Sequence, residues 1–167
     1  MITASARKSR LKAEYEAMCA LPFNSLFTWK LGPGQRAPYV TQYIITYNNP
    51  TMVQGPRGAI KTQAKTTVQI DINSDCFPTG APTARIIEGQ VPFHPNWYTS
   101  GNVCNGNIWH TNMWIWEYAI KIGRVLAFDP VVTNPRSPAN GNAVPYWNSN
   151  VRSFPCGRTN FPHPKGY

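Results

Sequence analysis

The sequence predicts an α+β fold, and three observations predict it. A basic, amphipathic stretch occupies 4–20, short alternating segments separated by Pro, Gly and Asn follow between 25 and 87, and a long, largely apolar run spans 112–128. Strands grouped together, with helices before and after them, are the order expected when helices pack on an antiparallel sheet. A chain of 167 residues is expected to form one domain with a substantial core.

Taken in order, residues 4–20 read as a helix with Ser5 as N-cap. Leu11, Tyr15 and Met18 form one apolar stripe. Arg7, Lys8, Arg10 and Lys12 crowd its first turns, the wrong end for the helix dipole; they form either a solvated face or a docking surface for an acidic partner. Leu21-Pro22 ends the helix. Strands are predicted over 25–31, 39–47, 66–72 and 83–87, with Val68, Ile70 and Ile72 alternating against Thr67, Gln69 and Asp71. Pro33-Gly34, Asn48-Asn49-Pro50 and Pro56-Arg57-Gly58 are turn signals, and the short connections suit an antiparallel meander. The polar, basic stretch 48–65 is expected to be a mobile hairpin end or loop. Residues 112–128 read as a buried helix, apolar on most of its circumference, with Glu117, Lys121 and Arg124 as one charged stripe. Glu117 and Lys121 are spaced as an i,i+4 pair. Gly123 inside it costs about 1 kcal/mol against Ala, which points to a close backbone approach. Asp129-Pro130 ends that helix. Ser137 and Pro138 are read as N-cap and first residue of a further helix that Pro145 kinks or stops early. The tail 151–167 is rich in Pro, Gly and Arg.

Charged residues are only 14% of the chain, yet its net charge is +9 and its pI about 9.7. Such a surface suits nucleic acid, an anionic membrane or an acidic protein. No nucleic-acid motif accompanies the charge. There is neither an apolar leader segment nor a run of the roughly 20 apolar residues that a membrane helix needs. A cytoplasmic protein with no nucleic-acid or membrane partner is expected. Cys19, Cys76, Cys104 and Cys156 form no CxxC pair, so thiols are expected over disulfides. With His94, His110 and His163 they match no zinc spacing, and no metal is expected.

The chemistry concentrates in His94-Pro95-Asn96-Trp97-Tyr98-Thr99-Ser100-Gly101-Asn102-Val103-Cys104. Asn96 precedes Cys104 by eight positions, with Gly101 in the turn between, and Pro92 and Pro95 stiffen the approach. Acyl transfer through a thioester needs a sulfur that can be loaded and unloaded. It also needs a neutral donor for the oxyanion of the tetrahedral intermediate, which an Asn amide can be. An unperturbed thiol, with a pKa of about 8.5, suits a carrier better than a strong free nucleophile. Cys76 is read as a packed thiol.

His94-Pro95-Asn96, Gly101 and Cys104 together resemble the active-site stretch of the ubiquitin-conjugating (E2) enzymes. Trp109, the apolar segment ending at Asp129-Pro130, and Ser137-Pro138-Ala139-Asn140 followed by Ala143 agree with that family's order. The resemblance runs over about 4–150 and is most specific over 92–143. It implies a UBC-like fold in one domain, 1–167: an N-terminal helix, a four-stranded antiparallel meander, an active-site loop, a buried central helix and a short C-terminal helix, with 151–167 as tail. It also implies a thioester mechanism. An E1-like enzyme, which consumes the ATP, passes ubiquitin or a ubiquitin-like protein to Cys104, and the acyl group moves on to an amine of a target protein. The chain itself needs no cofactor. Asn96 is then the oxyanion donor, or else a brace for the turn. His94 is structural support of the loop, and Arg7, Lys8, Arg10 and Lys12 face the E1. E2 enzymes often hold an acidic side chain near the acceptor amine. Asp129, Asn134 and Ser137 fall in that region, and none maps onto the acid.

The chain departs from the family in three places. Cys76-Phe77-Pro78 and Ala81-Pro82 match its Tyr-Pro and Pro-Pro loosely, which leaves an E3 partner uncertain. Asn105-Gly106-Asn107 replaces its apolar-acidic segment after the cysteine. Trp109 follows Cys104 by only five positions. These flanks resemble the E2-like proteins of bacterial operons that serve in anti-phage defence. Two other functions remain open: a cysteine hydrolase using Cys104 with His94 or His110, and a non-catalytic interaction module on the same scaffold.

Overall fold

The structure, a computed structural model, describes residues 3–72, 75–151, 159–164 and 166. Helix α1 (Ala4–Cys19) is followed by strands β1 (Phe27–Leu31), β2 (Gln42–Tyr47), β3 (Thr51–Gln54), β4 (Ile60–Gln63), β5 (Thr66–Asp71) and β6 (Thr83–Glu88), then helices α2 (Ile115–Leu126) and α3 (Val144–Asn150). β1, β2, β5 and β6 form one four-stranded antiparallel sheet in that order.

Alternation sets the core face of the sheet. Phe27 pairs with Tyr47 and Trp29 with Ile45 across β1 and β2, Ile45 with Val68 across β2 and β5, and Ile70 with Ala84 across β5 and β6. Apart from the half-buried Trp29, these side chains are buried. α2 covers this face: nine of its twelve residues are buried, and the Tyr47 hydroxyl donates to the Ala119 carbonyl across the interface at 2.7 Å. At Gly123 a Cβ would lie 2.6 Å from Phe161 Cζ and 2.9 Å from Tyr47 Cε1, which is the close approach that this glycine suggests. The tail supplies that neighbour. Phe161 packs against the core, and the His163 ring meets Trp116 with centroids 5.2 Å apart.

Several expectations are corrected. Thr3, not Ser5, caps α1 by accepting the Ala6 amide at 3.2 Å. The stretch 48–65 is not simply a loop, because β3 and β4 pair in it as a hairpin from Thr51↔Gln63 to Gln54↔Ile60. That hairpin supports the segment leading to the Cys104 loop through a Val53↔Pro92 bridge and a Phe93 amide donated to the Met52 carbonyl at 2.8 Å. α2 begins three residues later than the apolar run. Carboxylates cap its first turn: Glu117 accepts the Trp114 amide and Glu14 the Ile115 amide, each at 2.8 Å. Glu117 therefore reaches back to its own helix start rather than forward to Lys121. No helix starts at Ser137, because the Ala139 and Asn140 amides both donate to the Pro95 carbonyl, at 2.7 and 3.1 Å. α3 begins instead at Val144, with Pro145 in its first turn, where the missing N–H costs nothing. Cys76 is exposed, and Phe77 beside it takes the buried place, tilted against Trp109. Cys156 lies outside the described residues.

Glu14 is the core's unexpected member. It is 0% exposed, holds α1 to the start of α2 by accepting the Ile115 amide, and also accepts from Arg10 Nε on its own helix at 2.7 Å. Burial pushes its carboxyl up from the usual range, and these two donors oppose that shift. Arg10 also donates to the Met113 carbonyl at 3.0 Å and lies over the Trp114 ring at 4.5 Å. Among the described residues no helix is long and apolar enough to cross a membrane.

Candidate functional site

The loop that carries Cys104 is built as a small hairpin added to the edge of the sheet. Trp97 bridges Val103, the Tyr98 amide donates to the Asn102 carbonyl, and the Gly101 amide returns to the Tyr98 carbonyl. Gly101 turns at φ +93°, a conformation glycine adopts without penalty. β6 accepts the hairpin: Ile86 N–H donates to Gly101 O at 2.9 Å and Val103 N–H to Ala84 O at 3.0 Å. Cys104 then donates its own amide to the Asn96 carbonyl at 2.8 Å, so the spacing of eight positions becomes direct contact. A 3₁₀ turn over Asn105–Asn107 follows. Asn105 pins it by donating to the Pro82 carbonyl at 2.7 Å and accepting the Tyr118 hydroxyl at 2.5 Å.

The half-buried Cys104 thiol opens on a small cavity of about 50 Å³, lined by Asn96, Cys104, Gly106, Asn134 and Ser137. Tyr98, exposed beside it, has its hydroxyl 3.9 Å from Sγ. Asn96 is buried and braced on both sides of its amide. Oδ1 accepts the Asn134 backbone N–H at 3.0 Å, and Nδ2 donates to the Val132 carbonyl at 3.3 Å. A backbone N–H can only donate and a carbonyl can only accept, so these partners settle which end of the amide is oxygen. Val132 takes one Nδ2 hydrogen and leaves the second for another acceptor.

His94 lies fully buried behind this amide. Its Nδ1 accepts the Asn96 backbone N–H at 3.0 Å, so the neutral ring carries its proton on Nε2. Nε2 lies 3.3 Å from Thr133 Oγ1, and the Thr133 hydroxyl in turn donates to the Asp129 carbonyl at 2.8 Å. Phe128 and Trp147 close edge-on around the ring, at centroid distances of 4.6 and 5.5 Å. Burial pushes His94 down to about 3. The imidazole is a neutral strut, with both nitrogens occupied and no route to Cys104 as a base.

The candidate residues therefore divide. The fold brings Cys104, Asn96, Asn134 and Ser137 to one cavity and sets His94 behind it. Asp129 is not a wall of that cavity: its carboxylate accepts Arg124 Nε at 2.7 Å and the Val131 amide at 2.9 Å, closing the end of α2. Of the basic residues on α1, Lys8 and Lys12 are exposed and line a depression with Tyr39. Arg7 is half-buried beside Asp75, and Arg10 is withdrawn into the contact with Glu14 and Trp114. Thr133, Asn105 and Tyr118 shape the site and carry no sequence signal of their own. Tyr118 looks like one more apolar position of α2, and Thr133 like a loop residue.

The overall arrangement is shared with solved structures. The chain superposes on Ubc12 of S. cerevisiae with a TM-score of 0.56 at 18% identity, over 92% of this chain and 79% of that one. The fold is that of the ubiquitin-conjugating enzymes. A Plasmodium yoelii protein described as a ubiquitin conjugating enzyme gives the same E2-like match, with a TM-score of 0.56 at 16% identity over 97% of this chain and 99% of that one. No family model matches the sequence, and no curated protein matches it. The likeness to these structures is one of architecture: an N-terminal helix, a four-stranded antiparallel sheet and C-terminal helices.

Proposed function

We propose that this chain is an E2-like thioester carrier. It accepts ubiquitin or a ubiquitin-like protein from an E1-like, ATP-consuming enzyme onto Cys104 Sγ, and the acyl group then travels on toward an amine of a target protein. One observation carries the reading: the Cys104 thiol and the braced amide of Asn96 wall the same small cavity. When a nucleophile adds to the acyl carbon, its carbonyl oxygen gains negative charge, and the second Nδ2 hydrogen of Asn96 is a preorganised donor for it. Val132 and Asn134 hold the amide in place, so no reorganisation is needed as charge develops. The exposed Lys8 and Lys12 on α1 supply a basic face for the E1-like partner. The bacterial, anti-phage setting is supported by the sequence resemblance of the flanks of Cys104.

A hydrolase reading is disfavoured by the occupied, buried imidazole of His94. The test mixes the protein with an E1-like enzyme, its ubiquitin-like protein and ATP, and resolves the products on a non-reducing gel. A reductant-sensitive adduct that is absent in Cys104→Ala is the expected result. An E1 thioester that forms in the same tube without passing to this chain would defeat the proposal for that modifier.

A further inference from the structure

The half-buried Asn134 walls the Cys104 cavity together with Asn96. Pro135 follows it directly and bars its backbone from the helical region. Its side chain is oriented by a neighbour. Oδ1 accepts the Arg136 backbone N–H at 3.2 Å, and an N–H can only donate, so the oxygen of this amide is committed and Nδ2 is the end left over. Among the described residues Nδ2 donates to none. The Asn134 backbone N–H meanwhile donates to Asn96 Oδ1 at 3.0 Å, which ties the two residues together. The rest of the lining is neutral. All seven Asp and Glu residues of the chain are at described positions, and none walls the cavity. Glu14, Glu117 and Asp129 serve the ends of α2. Asp71 accepts from Gln42 and Gln69, and Glu88 from Thr67 and Lys65. Glu16 pairs with Lys12, and Asp75 lies by Arg7 and Lys8. No carboxylate in the lining opposes negative charge beside the thiol.

We infer that Asn134 Nδ2 is a second hydrogen-bond donor to the acyl oxygen, so that the amides of Asn96 and Asn134 together hold the oxyanion formed at Cys104. The inference rests on the thioester-carrier reading and adds a catalytic residue to it. The cavity measures about 50 Å³, and a water molecule takes about 30 Å³ in the liquid. Such a space suits a carbonyl oxygen, while a nucleophile carried on a long side chain approaches the acyl carbon from outside. A carbonyl oxygen has two lone pairs. Asn96 has one Nδ2 hydrogen free beside the one that Val132 takes, and Asn134 Nδ2 supplies the other donor. Both amides are held before charge develops, by Val132, by Arg136 and by the bond between Asn134 and Asn96, which is what makes such donors effective. In the step itself the electron pair of the nucleophile bonds to the acyl carbon, and the carbonyl pair moves onto oxygen, where both Nδ2 groups donate to it. That pair then returns, the bond from carbon to Sγ breaks, and Cys104 departs as thiolate. A nucleophile that enters with a proton releases it to water. Neither amide gains or loses a proton, so the pair serves loading and discharge alike.

The test compares the intact chain with Asn134→Asp. The aspartate can still accept the Arg136 amide, and the backbone N–H of that position still reaches Asn96, but a hydrogen-bond donor on the cavity wall becomes a carboxylate oxygen. Cys104 is loaded with acetyl-Gly-Gly by exchange from its mercaptoethanesulfonate thioester, with the acyl site located by peptide mass and Cys104→Ala as control. Discharge to hydroxylamine and to water, both uncharged nucleophiles at pH 7, is timed, and the melting temperature is measured beside it. Discharge slowed about tenfold or more to both, by a common factor and at an unchanged melting temperature, is expected. Asn134→Ala removes the donor without adding charge and is expected to slow both by a smaller common factor; it decides the matter should Asn134→Asp melt early. Unchanged discharge, faster discharge, or slowing toward only one nucleophile overturns the inference and leaves the carrier reading standing. A wild-type Cys104 that takes up no acyl group overturns the carrier reading, and the inference with it.

Discussion

At Asn96, one side chain joins two loops, and its backbone carbonyl holds the amide of the cysteine. Asn96→Ala strands the Val132 carbonyl and the Asn134 amide, so a loss of about 1–3 kcal/mol in stability is expected. Loss of the oxyanion donor is expected to slow thioester discharge about 100- to 1,000-fold. Melting and single-turnover discharge separate the two effects: a lowered melting temperature with normal discharge would leave Asn96 only a brace. His94 makes a different kind of prediction. Its folded pKa lies far below that of an exposed histidine, so between about pH 6.5 and 3 the unfolded chain binds a proton that the folded chain does not. This stability is present above about pH 6.5 and is lost as pH falls, at up to about 1.4 kcal/mol per pH unit. Glu14, raised by burial, acts in the opposite sense, since its folded form takes up a proton first. The clean observable is therefore the difference between the wild type and His94→Gln. Denaturation from pH 7 to 4.5 should show a weaker acid loss in the variant, and parallel curves would deny His94 the role.

Elements meet in this protein where a small residue or a carboxylate replaces what the helix period alone would place. Gly123 is such a point. Alanine would gain about 1 kcal/mol of helix propensity, but its Cβ meets Phe161 and Tyr47 at 2.6 and 2.9 Å, and overpacking of that kind costs typically about 1–3 kcal/mol. Gly123→Ala should lower the melting temperature, and adding Phe161→Ala should recover part of the loss. A stabilised single variant would mean that the tail simply moves aside. Just past the C-terminal end of α2, Phe128 stands at φ +59°, where glycine is the usual residue. The Asp129 amide reaches the Arg124 carbonyl at 3.0 Å and the Phe128 amide the Val125 carbonyl at 2.9 Å, a Schellman closure. An aromatic persists there because its ring is needed, stacked on Trp147 and edge-on to His94. The strained turn and the neutral histidine are one structure seen from two elements.

Over the whole molecule, positive charge is spread widely, while the basic face of α1 is narrower than its sequence suggests, since Arg10 serves the core. Lys8→Glu with Lys12→Glu should slow charging by an E1-like partner about tenfold, an effect of charge on encounter that weakens with salt, with little change in melting temperature. An unchanged charging rate would place the partner elsewhere. The order of helix, strands, cysteine loop and helix was legible in the sequence, because apolar periodicity is a local property and the sheet and α2 bury what that periodicity marks. The pairing of Asn96 with Cys104 was legible as well, since Gly101 marks a turn between them and Pro92 and Pro95 stiffen the approach to it. The Ser137 helix was not legible, because its amides find a better partner in Pro95, more than forty residues away in sequence. Glu14 reads as a solvated charge until Ile115 and Arg10 arrive to pair it, and the loop 48–65 became a hairpin only because residues 92–93 pair along it. The sequence by itself determined the order of the first helix, the four sheet strands, the cysteine loop and the central helix, and placed Cys104 in that loop. The tertiary structure alone decided the neutral lining of the site, the protonation of His94 and the disposal of all seven carboxylates. Hydrogen-bond partners and desolvation belong to neighbours in space, and only folding brings those neighbours together.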